Sequence, residues 1–541
     1  MIRFKTLTMF VVMLLISVVI LFFINRVEKN LDNSIEKNRL RFTGQIKNAP
    51  PLVAFTTMAL GSFRGVLADF LWLRTGSLQE EGNYFEMVQL ASWITKLQPR
   101  FSGATAYLAW NMAYNISVTC SAPEDRWRWI QEGIKLIRDE AIEYNPEDPA
   151  LYKELGWIYQ HKLGNIMDDA NQFYKNRIAI DMMRVFGKNP DWQKMAAAPS
   201  SEAAFKKKYP VDGKNDFFWK ALQSSGYGSY DKLFQEFKDK SALPKEFLSK
   251  LTSKEQAEAI DTYFRAEWLR EKYKLDSVII NQINNKYGLL DWRLAEAQAV
   301  YWATMGLKTT PEQRDIACER MITQALQAIF KNGRILMVDE KDFASIIVVP
   351  NLSVVDAVKR TFQEAYDNNE QQSTFKSAML NFMQDAVVIL FNYGNFSKSK
   401  EYYDELKKEE PDKYRRISLE SFVMNKWAED VRDASVKQAT DIISGLIYRS
   451  INYMVYGDED AALAHERIAR YIYVNYQEAN ADIKQRVGLA PYKDIKKSIV
   501  ESCLNNFPPV MAEILREKIK QEQLKAKDEE KDNASVKDAK K

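Results

Sequence analysis

Residues Asn145 to Tyr159 read NPEDPALYKELGWIY, and this stretch closes one helix and opens the next. Ala141 to Pro146 ends an earlier second helix. Tyr152-x-x-Leu155-Gly156-x-x-Tyr159 then forms the inward face of the following first helix. Small residues let paired helices approach, an aromatic ring fills the groove of its neighbour, and glycine permits a tight connection. Two further places read the same way. Gly394-Asn-Phe396 turns the chain, Ser399, Tyr403 and Leu406 make an inward stripe, and Pro411 ends the helix; later, Tyr453 precedes Gly457 and Ala462 and Ala469 follow on the second helix. With 12% aromatic residues and only 20 Gly and 16 Pro in 541 residues, few tight turns are expected, and an all-α fold is the reading.

Composition excludes several function classes. Lys and Arg number 76 against 73 Asp and Glu, so no bulk field draws the chain to nucleic acid. Cys120, Cys318 and Cys503 are too few for a disulfide framework or a cysteine zinc site and read as small buried hydrophobes. His161 and His465 are the only histidines, which leaves no HExxH and little material for a histidine relay; both read as ordinary helix residues. No metal or cofactor is expected.

Leu7 to Ile24 carries no charge and as a helix would span about 27 Å at ~1.5 Å per residue, close to the hydrocarbon thickness. The bulky residues Phe22 and Phe23 stand where a cleavage site would need small ones, so the segment reads as a retained single-pass anchor. Arg26, Lys29, Lys37, Arg39 and Arg41 after the run outnumber Arg3 and Lys5 before it, which by the positive-inside rule favours a cytoplasmic body. The pattern nevertheless resembles an uncleaved bacterial signal anchor, which places the body outside the cytoplasm. A second apolar stretch, Val53 to Leu73, is interrupted by Arg64 and Asp69 and reads as part of the helical body, with Arg64, Asp69 and Arg74 in structural pairs.

These features divide the chain into an anchor (1–27), a stalk (28–51), a first helical array (52–190), an irregular insertion (191–255), a second helical array (256–515) and a charged disordered tail (516–541). Ser121-Ala-Pro-Glu124 and Thr310-Pro-Glu-Gln313 have the form of reciprocal helix caps. The insertion carries Lys206-Lys207-Lys208, read as solvated, and aromatics from Phe217 to Phe237 that must pack on something. Asp291 to Ala303 begins like a capped helix and presents Ala297, Tyr301 and Trp302 for close helix packing.

The Leu155-Gly156 pattern with its flanking tyrosines, and the two looser copies, resemble the tetratricopeptide-repeat family. The resemblance covers about a third of the chain. It implies a TPR-like superhelix of helical hairpins whose concave face accepts protein or peptide segments. Carried over on the motif, that face comprises Lys153, Trp157 and Gln160 from the best copy, Asn381, Gln384 and Asn392 from the second, and Ile451 from the third. The expected function is therefore a membrane-anchored binding scaffold in an envelope-associated assembly, with a protein partner, membrane contact through 7–24, no nucleic acid and no catalysis. The alternative is an all-helical enzyme acting on envelope polysaccharide through carboxylates from separate repeats. Glu80 and Glu81 do not supply them, because neighbours on a helix diverge by about 100°. A structural spacer without a stable partner is a third reading.

Overall fold

The computed structural model describes residues 63–521 apart from 100, 166, 188, 212–215, 310–314, 338–345, 369–372, 429–435 and 480–487, with a few positions between 17 and 30. Most of the anchor run and stalk, the Thr310 cap and the tail beyond 521 therefore lie outside the described residues. Among the described residues no helix is long and apolar enough to cross a membrane.

The chain is all-α, with one short β-hairpin among the described residues. The first helices are α1 (Phe63–Glu81), α2 (Tyr84–Leu97), α3 (Ser102–Trp110), α4 (Pro123–Lys135) and α5 (Pro149–Trp157). The last three run on into wider π-helical turns, Asn111–Ile116, Leu136–Ala141 and Ile158–Gly164. The junction at 145–159 is built as its residues dictate. Asn145 follows the last helical residue and donates to the Ala141 carbonyl at 3.2 Å, Asp148 accepts from Ala150 N at 3.0 Å, and Pro149 opens α5 where its missing N–H is harmless. The expected cap at Ser121 is not formed. Pro123 takes the first helical position, Ala122 becomes the cap residue without a side-chain bond, and Ser121 is pushed one residue outside the helix.

A side layer follows: α6 (Asn171–Phe186), the short helices α7 (Trp192–Ala196), α8 (Glu202–Lys208), α9 (Phe217–Ser224), α10 (Tyr230–Lys240) and α11 (Lys245–Leu248), then α12 (Lys254–Trp268) and α13 (Ser277–Tyr287). The aromatics of 205–237 pack on α12. Phe205 stacks on Tyr263 at 4.2 Å, Phe234 and Phe237 meet Phe264 at 5.0 and 5.3 Å, and the hydroxyls of Tyr230 and Tyr263 are 3.1 Å apart. Lys206, Lys207 and Lys208 are exposed, as their charge requires.

The array resumes with α14 (Ala295–Thr309) and α15 (Ile316–Asn332), the latter capped by Asp315 through Cys318 N at 2.7 Å. Strands β1 (Arg334–Leu336) and β2 (Ile347–Val349) pair antiparallel with Ile335 opposite Val348. Then come α16 (Val355–Asn368), α17 (Ser373–Asn392), α18 (Phe396–Glu409), α19 (Pro411–Tyr414), α20 (Leu419–Ala428), α21 (Val436–Val455), α22 (Glu459–Ala479), α23 (Tyr492–Asn506) and a last helix over 509–521.

Packing is serial from α1 to α4; α5 packs on α3, on the π-turn after α4 and directly on α14, and packing then continues serially to α18. Gly156 marks that crossing: a Cβ there would lie 3.3 Å from the Ala299 carbonyl oxygen, so the small residue of the repeat signature serves a neighbour 143 positions on. Ala297, Tyr301 and Trp302 are buried in the same contact. Gly394 (φ 77°) and Gly457 (φ 81°) turn the two later hairpins in the left-handed region that favours glycine. One serine stitches each pair: Ser399 Oγ donates to the Val387 carbonyl at 2.8 Å, and Ser450 Oγ to that of Ala462 at 2.7 Å. The hairpin of α21 and α22 has a core of its own with α23, and meets the main body through α17 and the Arg334–Asp458 ion pair at 2.6 Å.

The α3–α4 contact is tight enough to test. A Cβ on Gly133 would stand 2.6 Å from the Ala109 carbonyl oxygen, a backbone atom that cannot rotate away. Gly133→Ala is expected to cost about 1–3 kcal/mol by forcing the helices apart, despite alanine's better helix propensity. An unchanged urea midpoint would show that the pair separates freely.

Candidate binding groove

Tyr107, Trp110 and Tyr114 are spaced i, i+3, i+7 and share one face of α3 and its π-turn, while Lys153, Trp157 and His161 share one face of α5 and its own turn. The two rows face each other. Along α3, Tyr107 and Trp110 stack with centroids 6.4 Å apart and Trp110 and Tyr114 at 5.4 Å; Trp72 of α1 extends the row, 5.5 Å from Tyr107. Along α5, His161 stacks on Trp157 at 4.6 Å and Lys153 Nζ lies 5.7 Å from the Trp157 ring. The rows join where His161 Nδ1 meets the Tyr114 hydroxyl at 3.2 Å. Between them lies an open cleft of about 470 Å³ lined by Gly103, Ala106, Tyr107, Trp110, Lys153 and Trp157, among others. Tyr107 is 50% and Trp110 37% exposed, unusual for rings already packed in a row.

The closed end rests on buried charge. Lys162 Nζ donates to Asp168 Oδ2 at 2.5 Å, with both side chains almost fully buried, and lies 5.5 Å from the Tyr114 ring. Asp168 also accepts from Arg126 at 3.1 Å, Ala170 N at 2.9 Å and the Tyr174 hydroxyl at 3.3 Å. Burial alone would raise the Asp168 carboxyl, but the bonds from Lys162 and Ala170 N hold it at about 2. Burial raises the Tyr114 hydroxyl well above its usual value, with the Glu154 carboxylate adding to the effect. Burial also lowers His161, helped by the Lys162 charge, so its ring stays neutral at physiological pH.

The sequence-derived site residues are dispersed. Lys153 and Trp157 line this cleft. Gln160 sits half-buried on the π-turn, its Oε1 without a hydrogen-bond partner among the described residues. Asn392 lines a separate apolar cavity of about 450 Å³ with Phe396, Arg467 and Tyr471, between α17, α18 and α22. Asn381 is exposed and Gln384 half-buried on α17, and neither lines the cleft or that cavity. Ile451 is 2% exposed in the core of the C-terminal hairpin, so its side chain packs the fold and cannot face a ligand. Tyr107, Trp110, Tyr114 and His161 were missed, although Tyr107-x-x-Trp110-x-x-x-Tyr114 is legible as a helix face.

The fold and this site define an all-α protein with an aromatic cleft open on one side. Comparison with protein-family models, with curated proteins and with solved structures gives no match for the chain.

Proposed function

We propose that this chain is a membrane-anchored helical-repeat scaffold, TPR-like in its hairpins, that holds a segment of another protein in the cleft between α3 and α5. Its body stands outside the cytoplasm in an envelope-associated assembly, and it performs no catalysis of its own. The observation that carries this reading is the exposed aromatic row facing Trp157 and Lys153. Rigid rings give large contact area at little entropic cost, and such residues dominate binding energy where they occur. Membrane tethering would supply local concentration. The polysaccharide-cleaving alternative needs two carboxylates facing one cleft about 5–9.5 Å apart. Glu154 is the one carboxylate among the described residues lining this cleft, and it is held by Lys153 at 2.7 Å; Glu81 is held by Arg74 at 3.1 Å.

The test is a photo-crosslinking residue at Ala150, on the cleft wall, compared with one at Leu289, exposed elsewhere. A discrete protein adduct is expected in intact cells from position 150 alone. Adding Trp110→Ala or Trp157→Ala should weaken binding roughly tenfold or more, with the fold intact. Equal adducts from both positions, or none from position 150, would remove the cleft as a binding site.

A further inference from the structure

Helix α1 is apolar on two faces. Ala68 and Leu78 are buried, and Leu71 and Trp72 pack against the main core. On the other face Phe63, Val66, Phe70 and Leu73 are 65%, 61%, 66% and 72% exposed. At about 100° per residue these four fall within an arc of about 80°, a continuous stripe three turns long. A helix apolar on both faces is ordinarily covered on both; among the described residues, α2 and the Tyr107 ring of α3 meet one. A Cβ on Gly65 would lie 3.1 Å from the Gln98 side chain, so the start of α1 sits against the end of α2 on the side away from the stripe.

We propose that α1 lies against a lipid bilayer, with Phe63, Val66, Phe70 and Leu73 seated at the boundary between headgroups and acyl chains. This rests on the membrane-anchored reading above. The apolar run ends at Ile24, and whatever their conformation, the residues from Asn25 to Phe63 reach at most about 130 Å at ~3.4 Å each, so an anchored chain keeps α1 within that distance of the surface and raises its local concentration there. The stripe suits a bilayer better than a second copy of the chain. One helix face of four side chains falls far short of the roughly 800 Å² per partner of a stable protein interface, whereas an interfacial helix needs only an apolar strip a few ångströms deep. The same face continues as Gly76, Ser77 and Glu80, all exposed. Apolar contact thus ends after three turns, and α1 rises from the surface there with Asp69, at the stripe's edge, kept in water.

The experiment uses the full chain in phosphatidylcholine vesicles containing one-fifth phosphatidylglycerol, carrying a nitroxide on Phe70→Cys or, as a control on the same face, Ser77→Cys. Both sites are exposed and tolerate the label, and parallel labelling of the parent chain corrects for Cys120, the half-buried native thiol. The expected result is that the chain floats with the vesicles and the label at 70 is reached by oxygen but shielded from a water-soluble nickel chelate, whereas the label at 77 meets the chelate freely. Flotation with the label at 70 open to the chelate would overturn the lipid contact and leave the anchor standing. Dipolar coupling between labels on separate chains, with the label shielded from both reagents, would overturn it in favour of a second copy. A chain that does not float would end both readings together.

Discussion

Asp168→Asn is expected to lower the unfolding free energy by about 3–5 kcal/mol, the largest loss foreseen for a single polar substitution here. The carboxylate accepts from Lys162, Arg126, Ala170 N and Tyr174 at once. Asparagine keeps the shape but leaves the Lys162 ammonium, 5% exposed, without its counter-charge. The direction of the pH dependence follows from the depressed carboxyl. Its folded value of about 2 lies below the ordinary 3.8, so its stabilisation is complete above about pH 4 and is lost as pH falls through 2. Chemical unfolding of parent and variant at pH 7 and at pH 3 tests this. The gap should be widest at pH 7, narrower at pH 3, and closed only as pH falls through about 2; a loss below about 1 kcal/mol at pH 7 would show that water reaches Lys162 and the pair is not buried in solution. Because Lys162 and His161 are adjacent on the π-turn, the same variant should loosen the closed end of the cleft.

Glu296→Gln should act in the opposite direction. Glu296 is 6% exposed on α14, facing the π-turn after α5, where Gly164 leaves room for it: a Cβ on Gly164 would stand 2.7 Å from Oε1. Burial raises its carboxyl from 4.5 to about 7, and a bond to its own backbone N–H and the charge of Lys175 only partly offset this. Here the folded value exceeds the unfolded one, so between about pH 4.5 and 7 the native state keeps a proton that the unfolded chain releases. Stability therefore falls as pH rises through that window and stays lower above it. The ionised group costs about 3 kcal/mol at pH 8, so the glutamine variant should be more stable than the parent there by about that amount, and close to it at pH 4.5. Identical urea midpoints for the two chains at pH 8 would refute the buried-charge account.

Local grammar in the sequence anticipated much of this. The Asn145–Pro149 junction, the Gly394 and Gly457 turns and the burial of Ser399, Tyr403 and Leu406 follow from capping, left-handed glycine and helical period, which depend on near neighbours. The Ser121 cap failed on an equally local detail: Pro123 claims the first helical position and shifts the register by one. The β-hairpin escaped because three-residue strands carry too short a pattern to separate from a loop. A motif gives spacing but not which face is covered, so it assigns Ile451 to a surface that the α21–α22 hairpin turns inward onto its own core.

The cleft was half legible. Lys153 and Trp157 lie in the Tyr152–Tyr159 stretch that the sequence reading singles out, and the Tyr107, Trp110 and Tyr114 face is written in a helical period, but that these rows confront each other depends on α3 packing against α5. The sequence alone therefore determined the helical class, the turn positions and the charge balance, because these arise from propensities and patterns a few residues long. Only the tertiary structure decided that α5 meets α14 across more than a hundred intervening residues, that Asp168 gathers Lys162 and Arg126 beneath the cleft, and that one apolar face of α1 is exposed among the described residues. The α5–α14 contact and the Arg126–Asp168 pair join segments distant in the chain, set by which faces bury one another, and no local pattern encodes that choice.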